Sequence, residues 1–236
     1  MTPAVLLPRS WHFAKERSPQ IEAMDRSDLD PAFRQQALAG LARLRRIFLR
    51  PGPLLRAIVR ILPPPGNRTL RLVELGAGSG ELSVWLGRAL ERTGRRVEIV
   101  PTDRFAAPGV RAFDCTAASG WLDADMFFSN LLLHHLSVDE IRRSLRMQAQ
   151  HARSGSVHMD LVRTGLSYYL TRIFLPLLRY PRIIQSDALL SVQAAFTVAE
   201  LRGLANGICV GSEIRWIPPF RQILTCSPEK FPSPAR

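Results

Sequence analysis

Val73-Glu74-Leu75-Gly76-Ala77-Gly78-Ser79-Gly80-Glu81 is the stretch from which the 236-residue chain can be read. The residues leading into it, Leu70 to Leu75, are apolar enough for a short buried strand. Those following it, Leu82-Ser83-Val84-Trp85-Leu86-Gly87-Arg88-Ala89-Leu90, carry apolar residues at helical spacing. The glycines therefore sit on a strand-to-helix turn, where missing side chains let a ligand reach the backbone and the first helical N–H groups point at it. A dinucleotide fingerprint needs Gly-x-Gly-x-x-Gly, and Glu81 stands at its last position, putting negative charge beside a pyrophosphate. Glu74, directly before the turn, instead suits a ligand that carries a positive charge.

From Arg68 onward strands and helices alternate, which predicts a mainly parallel sheet with right-handed crossovers. The expected strands are Leu70–Leu75, Arg95–Pro101, Gly109–Phe113, Ala124–Asn130 and Gly155–Leu161. Expected helices cover Glu81–Arg92, Ser137–Ala152 (Ser137 capping with Glu140 three residues on) and Thr197–Ala205. Glu213–Phe220 and Gln222–Cys226 read as a closing antiparallel pair, with Pro218 and Pro219 at a bulge or edge. Between them, Thr164–Leu190 breaks the alternation with a segment apolar on most sides, which a domain, a membrane surface or an apolar substrate must cover. Upstream, residues 1–67 form an arm and a helical cap: a helix capped by Asp30 with Pro31 at its first position, then Leu54–Leu62, ending at Pro63-Pro64-Pro65-Gly66. Residues 68–236 form the α/β domain, with a lid insertion at about 164–190.

Composition bounds the function classes. The net charge is +12, but Lys15 and Lys230 are the only lysines, so the excess of arginine reads as codon preference, which dilutes the argument for a nucleic-acid partner without abolishing it, since the arginines are unevenly placed. Cys115, Cys209 and Cys226 lie far apart without ligand spacing, which predicts reduced thiols, no metal site and a cytoplasmic protein. No run reaches the roughly 18 apolar residues of a membrane span.

Three acids end the first three strands: Glu74, Asp103 and Asp114. Open parallel sheets bind ligands at the carboxyl edge, so all three face one crevice. Asp103, 23 positions after Gly80, is placed for ribose hydroxyls, and Asp114 for an adenine amino group.

An acid followed by Gly-x-Gly-x-Gly, with these downstream acids, resembles class I (seven-stranded, Rossmann-like) S-adenosylmethionine-dependent methyltransferases over about residues 68–226. The resemblance implies an α/β three-layer sandwich whose seven-stranded sheet is mainly parallel with an antiparallel last strand. It assigns S-adenosylmethionine to Glu74, Gly76, Ala77, Gly78, Gly80, Asp103, Arg104, Asp114 and Cys115. Ser129-Asn130-Leu131-Leu132-Leu133-His134-His135-Leu136 resembles the segment flanking the donor's methionine part, which adds Asn130 and Leu131. Strand four lacks both the Asn/Asp-Pro-Pro-aromatic string of base amino methyltransferases and the Pro-Cys pair of cytosine C5 enzymes. Asp28-Leu29-Asp30-Pro31, Asp160-Leu161-Val162-Arg163, Ser191 to Phe196 and Pro219-Phe220-Arg221 look like a subgroup that tailors quinones and polyketides.

Where the acceptor loses a proton a base is needed, and histidine suits because its unperturbed pKa is about 6.5. His134 is the expected base, oriented by Asp160 as in hydrolase triads, with His135 the alternative. The expected reaction is methyl transfer to oxygen, or secondarily carbon, of an apolar or phenolic small molecule, yielding S-adenosylhomocysteine (SAH). A homodimer is compatible with this reading, and nucleic acid is not the expected partner. The rival readings are an RNA methyltransferase using the Arg-rich N-terminal helices and a catalytically silent S-adenosylmethionine-binding protein.

Overall fold

Strand residues alternate between two faces, and the apolar stripes of the helices seal each face in turn. The computed structural model describes residue 13, residues 16–18, and residues 51–227 except 106 and 210. In chain order the elements are α1 (Gly52–Ile61), β1 (Thr69–Leu75), α2 (Glu81–Glu91), β2 (Arg96–Asp103), β3 (Arg111–Ala112) and β4 (Met126–Asn130). A 3₁₀ turn (Leu133–His135) leads to α3 (Val138–His151), β5 (Ser156–Leu161), α4 (Gly165–Leu177), α5 (Arg182–Ala194), α6 (Val198–Ala205), β6 (Ser212–Ile217) and β7 (Arg221–Cys226). The helix expected from Asp30 lies outside the described residues.

The seven strands form one sheet in the order β3-β2-β1-β4-β5-β7-β6. β1 to β5 pair parallel, and β7 runs antiparallel to both β5 and β6. This is the mainly parallel sheet with a reversed last strand that the sequence predicts. One face carries Leu72, Met126, Phe128 and Met159 against Leu54 and Ile58 of α1 and Leu86 and Leu90 of α2. Leu54 and Ile58, one turn apart and fully buried, each contribute on the order of 2 kcal/mol by leaving water. The other face sets Val73, Leu75, Phe127 and Leu224 against Ile141 and Leu145 of α3 and Leu201 and Leu204 of α6. Both α3 and α6 open with the predicted type of signal, a reciprocal capping box: Ser137 with Glu140, and Thr197 with Glu200.

Three expectations are corrected. β3 shrinks from five residues to two, because Val110 folds back in an isolated bridge to Ala107 before the strand begins. Pro218 and Pro219 lie in the turn between β6 and β7, not within either strand; a residue without an N–H cannot serve a ladder paired on that side. The apolar insertion at about 164–190 is helical as expected, a hairpin of α4 and α5 that is apolar on a buried and on an exposed face alike. Finally, Cys209 and Cys226, 17 residues apart, meet with Cα atoms at 5.3 Å in a disulfide that ties the end of α6 to the last residue of β7. Only Cys115 is a free thiol, so the premise of three reduced thiols behind the cytoplasmic reading is removed.

Candidate active site at the carboxyl edge of the sheet

Leu75 of β1 aligns with Thr102 of β2 and Ser129 of β4, and Asn130 aligns with Met159 of β5, so the residues that follow each strand gather at one edge. Gly76, Gly78 and Gly80 have φ of 68°, 57° and 75°, a left-handed backbone that side chains oppose. Gly76 and Gly78 are glycine for different reasons. A Cβ on Gly76 would lie 2.7 Å from Leu132 Cδ1, whereas a Cβ on Gly78 meets nothing within 4 Å. Gly76 is required by the protein's own packing, and Gly78 leaves its backbone open to a ligand.

The acids tie the edge together. Glu74 is buried and accepts a hydrogen bond from Ser83 Oγ of α2 at 2.5 Å. Asp103 accepts from the Gly78 N–H (2.9 Å) and the Phe105 N–H (3.1 Å), one on each oxygen, and each oxygen keeps a lone pair for a ligand hydroxyl. Asp114 takes both the N–H and the hydroxyl of Thr116 on Oδ1, while Oδ2 lies 3.8 Å from Arg104. Partial burial opposes its charge, but the Thr116 donors and then Arg104 outweigh it and hold the carboxyl below its ordinary range. The Cys115 thiol is pushed up to about 11, first by burial and then by Asp114, so it stays neutral. At the end of β4, Asn130 Oδ1 is buried with no hydrogen-bond partner, and Leu131 adopts φ 61° where the chain turns out of the strand.

Beside this edge the 3₁₀ turn presents two histidines in unlike environments. His134 is buried, its Nδ1 2.6 Å from Asp160 Oδ1 while its own N–H donates to Asp160 Oδ2 at 2.9 Å. The Leu161 N–H adds a third bond to this carboxylate at 2.6 Å. Burial works against the charge of Asp160, yet the His134 side chain and these donors hold its carboxyl below the ordinary range. A neutral His134 imidazole facing this carboxylate carries its hydrogen on Nδ1. His135 is exposed, with its ring 4.1 Å from that of His134 between centroids. Deeper in the same face, His158 contacts Ser129 Oγ at 2.9 Å and Ser156 Oγ at 3.2 Å, and burial lowers its pKa to about 4. It is a neutral structural group.

Sequence reasoning missed what holds the histidine turn. Arg17, from the N-terminal arm, donates to the carbonyls of His134 (2.8 Å), Leu136 (2.7 Å) and Ala194 (2.5 Å), and its guanidinium lies 4.2 Å from the Phe196 ring centre. No periodicity in the arm marks this residue. Arg163, fully buried, donates from Nε to Ala195 O at 3.1 Å and pairs with Glu200. Gln222 then bonds the carbonyls of Phe196 (2.7 Å) and Leu161 (3.1 Å). Three short strings that the sequence singled out, at 160–163, 191–196 and 219–221, meet here, the Val162 N–H donating to Phe220 O at 2.8 Å and the Arg163 N–H to Phe196 O at 3.1 Å.

The comparisons agree on this architecture. The plantazolicin methyltransferase BpumL in complex with SAH matches at a TM-score of 0.59 and 10% identity, covering 85% of this chain and 91% of that one. The S-adenosylmethionine-dependent methyltransferase SibL in its apo form matches at 0.56 and 14% identity, covering 85% and 60%. Human N-acetylserotonin methyltransferase in complex with SAM matches at 0.53 and 11% identity, covering 83% and 56%. The fold is that of the S-adenosylmethionine-dependent methyltransferases. The chain spans about half the length of other methyltransferases it matches, 50% and 54% in two cases. No protein-family model and no curated protein matches it.

The residues at the edge of this methyltransferase fold suit such a donor chemically. Asn130 Oδ1 is an unsatisfied acceptor for an ammonium group, the Gly78 backbone is open, and Asp103 and Asp114 each keep acceptor capacity for hydroxyl and amino groups. Among the described residues no cluster of three His, Cys, Asp or Glu side chains could hold a metal ion.

Proposed function

We propose that the protein is an enzyme that transfers a methyl group from S-adenosylmethionine to an oxygen of an apolar or phenolic small molecule. The observation that supports it most is the buried His134–Asp160 pair standing beside the open Gly78 turn at the same sheet edge. Gly78, Asp103, Asp114 and Asn130 would hold the donor, with the carboxylates toward ribose and adenine and the Asn130 oxygen toward the methionine ammonium. When bound, S-adenosylmethionine supplies a methyl group on a sulfonium, displaced in line by the acceptor. His134 Nε2 takes the acceptor's hydroxyl proton as the new bond to carbon forms, and Asp160 stabilises the imidazolium that results. The hairpin α4–α5 covers the acceptor and excludes water.

Calorimetric titration with SAH, followed by mass detection of methylated product from a panel of phenols and hydroquinones, tests this reading. SAH binding and a gain of one methyl per acceptor are expected, with transfer lost in His134→Ala while SAH still binds. Absence of SAH binding would refute the donor assignment. Transfer at the wild-type rate in His134→Ala and in His135→Ala would refute the base.

A further inference from the structure

The outer face of the hairpin carries chemistry that the sheet edge does not use. Leu166, Tyr169, Ile173 and Leu177 follow one another at spacings of three, four and four along α4 and are 50%, 45%, 59% and 70% exposed. They form one stripe about 16 Å long. α4 begins with Thr164 capping the Ser167 N–H and ends in a turn with paired bonds, Tyr180 N–H to Leu175 O and Arg179 N–H to Pro176 O, which place Arg179 at φ 54°. That turn sets exposed Arg179 and Arg182 beside the end of the stripe, and Arg172 adjoins Ile173 within it. From residue 164 to residue 199 the only acid is Asp187, which is buried. The exposed charge that residues 164–199 contribute to this face is therefore of one sign.

We infer that the α4 face docks on an anionic lipid surface, with the stripe entering the headgroup region and Arg179 and Arg182 meeting lipid phosphates. A second copy of the chain fits poorly. A two-fold interface sets a patch against itself, and this patch has arginines but no acid to oppose them. An anionic bilayer supplies both the apolar boundary and the opposite charge, and Tyr169 is amphipathic in the way that the membrane interface favours. No single helix among the described residues is long and apolar enough to cross a membrane, so the contact proposed is with the surface. It stands independently of the methyl-transfer reading.

Co-sedimentation with vesicles of phosphatidylcholine alone, and of phosphatidylcholine mixed with phosphatidylglycerol, tests it on the full chain. The protein is expected to pellet with the mixed vesicles, and less so as salt rises. The double variant Ile173→Ser/Leu177→Ser lowers the partition coefficient about tenfold or more, since two apolar side chains are withdrawn. Arg179→Gln/Arg182→Gln lowers it about fivefold per charge. The arginine pair is exposed, so it keeps the test decisive if the serine variant fails to give a native circular dichroism spectrum. No pelleting of wild type with mixed vesicles, or pelleting unchanged by the variants, overturns the inference. So does a dimer in light scattering that dissociates in the serine variant, which would make the face an interface between copies.

Discussion

Replacing Gly78 by alanine should weaken SAH binding while leaving the fold nearly intact, and replacing Gly76 should do the reverse. Both residues have positive φ, which costs an L-residue about 1–2 kcal/mol, partly returned because alanine restricts the unfolded chain by about 0.4–1 kcal/mol. At Gly78 nothing else is added, because no atom lies within 4 Å of the new Cβ. The net loss of stability for Gly78→Ala is therefore about 1 kcal/mol or less. At Gly76 the methyl would stand 2.7 Å from Leu132 Cδ1 and 3.3 Å from Cδ2 and Cγ. Moving Leu132 adds an overpacking cost of about 1–3 kcal/mol. For the ligand the order inverts, since the open side of Gly78 is where a donor would lie against the backbone. A methyl there should weaken SAH at least tenfold, about 1.4 kcal/mol. Urea unfolding with and without SAH reads both effects: ligand at a hundred times its Kd stabilises a binding-competent protein by about 2.7 kcal/mol. Gly78→Ala should lose about half of that increment or more, and Gly76→Ala should start from a lower midpoint but keep more of it. Wild-type SAH affinity in Gly78→Ala would refute the placement of the donor. Equal stability of the two variants would refute the packing argument for Gly76.

Three further outcomes can be measured independently. Asp160→Asn leaves three N–H donors facing an amide with one acceptor oxygen, so a loss of about 2–4 kcal/mol is expected near neutral pH. Because the folded carboxyl titrates below its unfolded value of about 3.9, its stabilisation is complete above that value and fades as pH falls through the folded one. The gap between wild type and variant in urea should thus be flat from about pH 8 to 5 and narrow in acid; a gap that widens in acid would reverse the sign of the argument. Arg17→Ala removes three bonds to backbone carbonyls, and amide exchange in the His134–Leu136 turn should quicken by an order of magnitude or more, with Lys restoring only part. Unchanged exchange there would make Arg17 a bystander. Cys209→Ser opens a loop closed over 17 residues and should cost about 3 kcal/mol, matching wild type in dithiothreitol; a wild-type midpoint indifferent to reductant would rule out the bond.

What was legible in the sequence and what was not divides along a physical line. The proposed donor side rests on backbone geometry at strand ends, where glycines and polar residues at or just past the end of a strand announce it. The sheet that brings Gly76 to Gly80, Asp103 and Asn130 to one edge was readable for that reason, while their contact with the donor is the proposal. Where apolar alternation is thin the limits slip, as in β3, whose two residues are Arg111 and Ala112. The hairpin break between α4 and α5 was hidden because its left-handed position is filled by Arg179 and not by glycine, the residue that usually marks it. The disulfide was hidden because spacing says nothing of two cysteines brought together by a strand that reverses across the sheet.

The frame around His134 was the least legible part, and its construction shows why. Arg17, Asp160, Arg163, Glu200 and Gln222 come from an arm, a strand end, a loop, a helix and the reversed strand β7. Most of the bonds they make end on backbone carbonyls: His134, Leu136, Leu161, Ala194, Ala195 and Phe196. A carbonyl is present at every position, so no residue type at the receiving end betrays the contact. The donors are Gln222 and two arginines in a chain rich in arginine, which masks the other end as well. Yet the placement is informative once seen. Arg17 joins the histidine turn to the end of α5, and Arg163 joins the end of β5 to the start of α6, so the group proposed as base and the hairpin proposed as cover are braced by the same guanidinium, that of Arg17. A change that loosens one should therefore loosen the other. In Arg17→Ala, faster exchange at His134–Leu136 should be accompanied by faster exchange in the last turn of α5, where the Ala195 N–H bonds Ser191 O. Quickening confined to the histidine turn would show that the two parts move separately and would remove the mechanical link between base and cover.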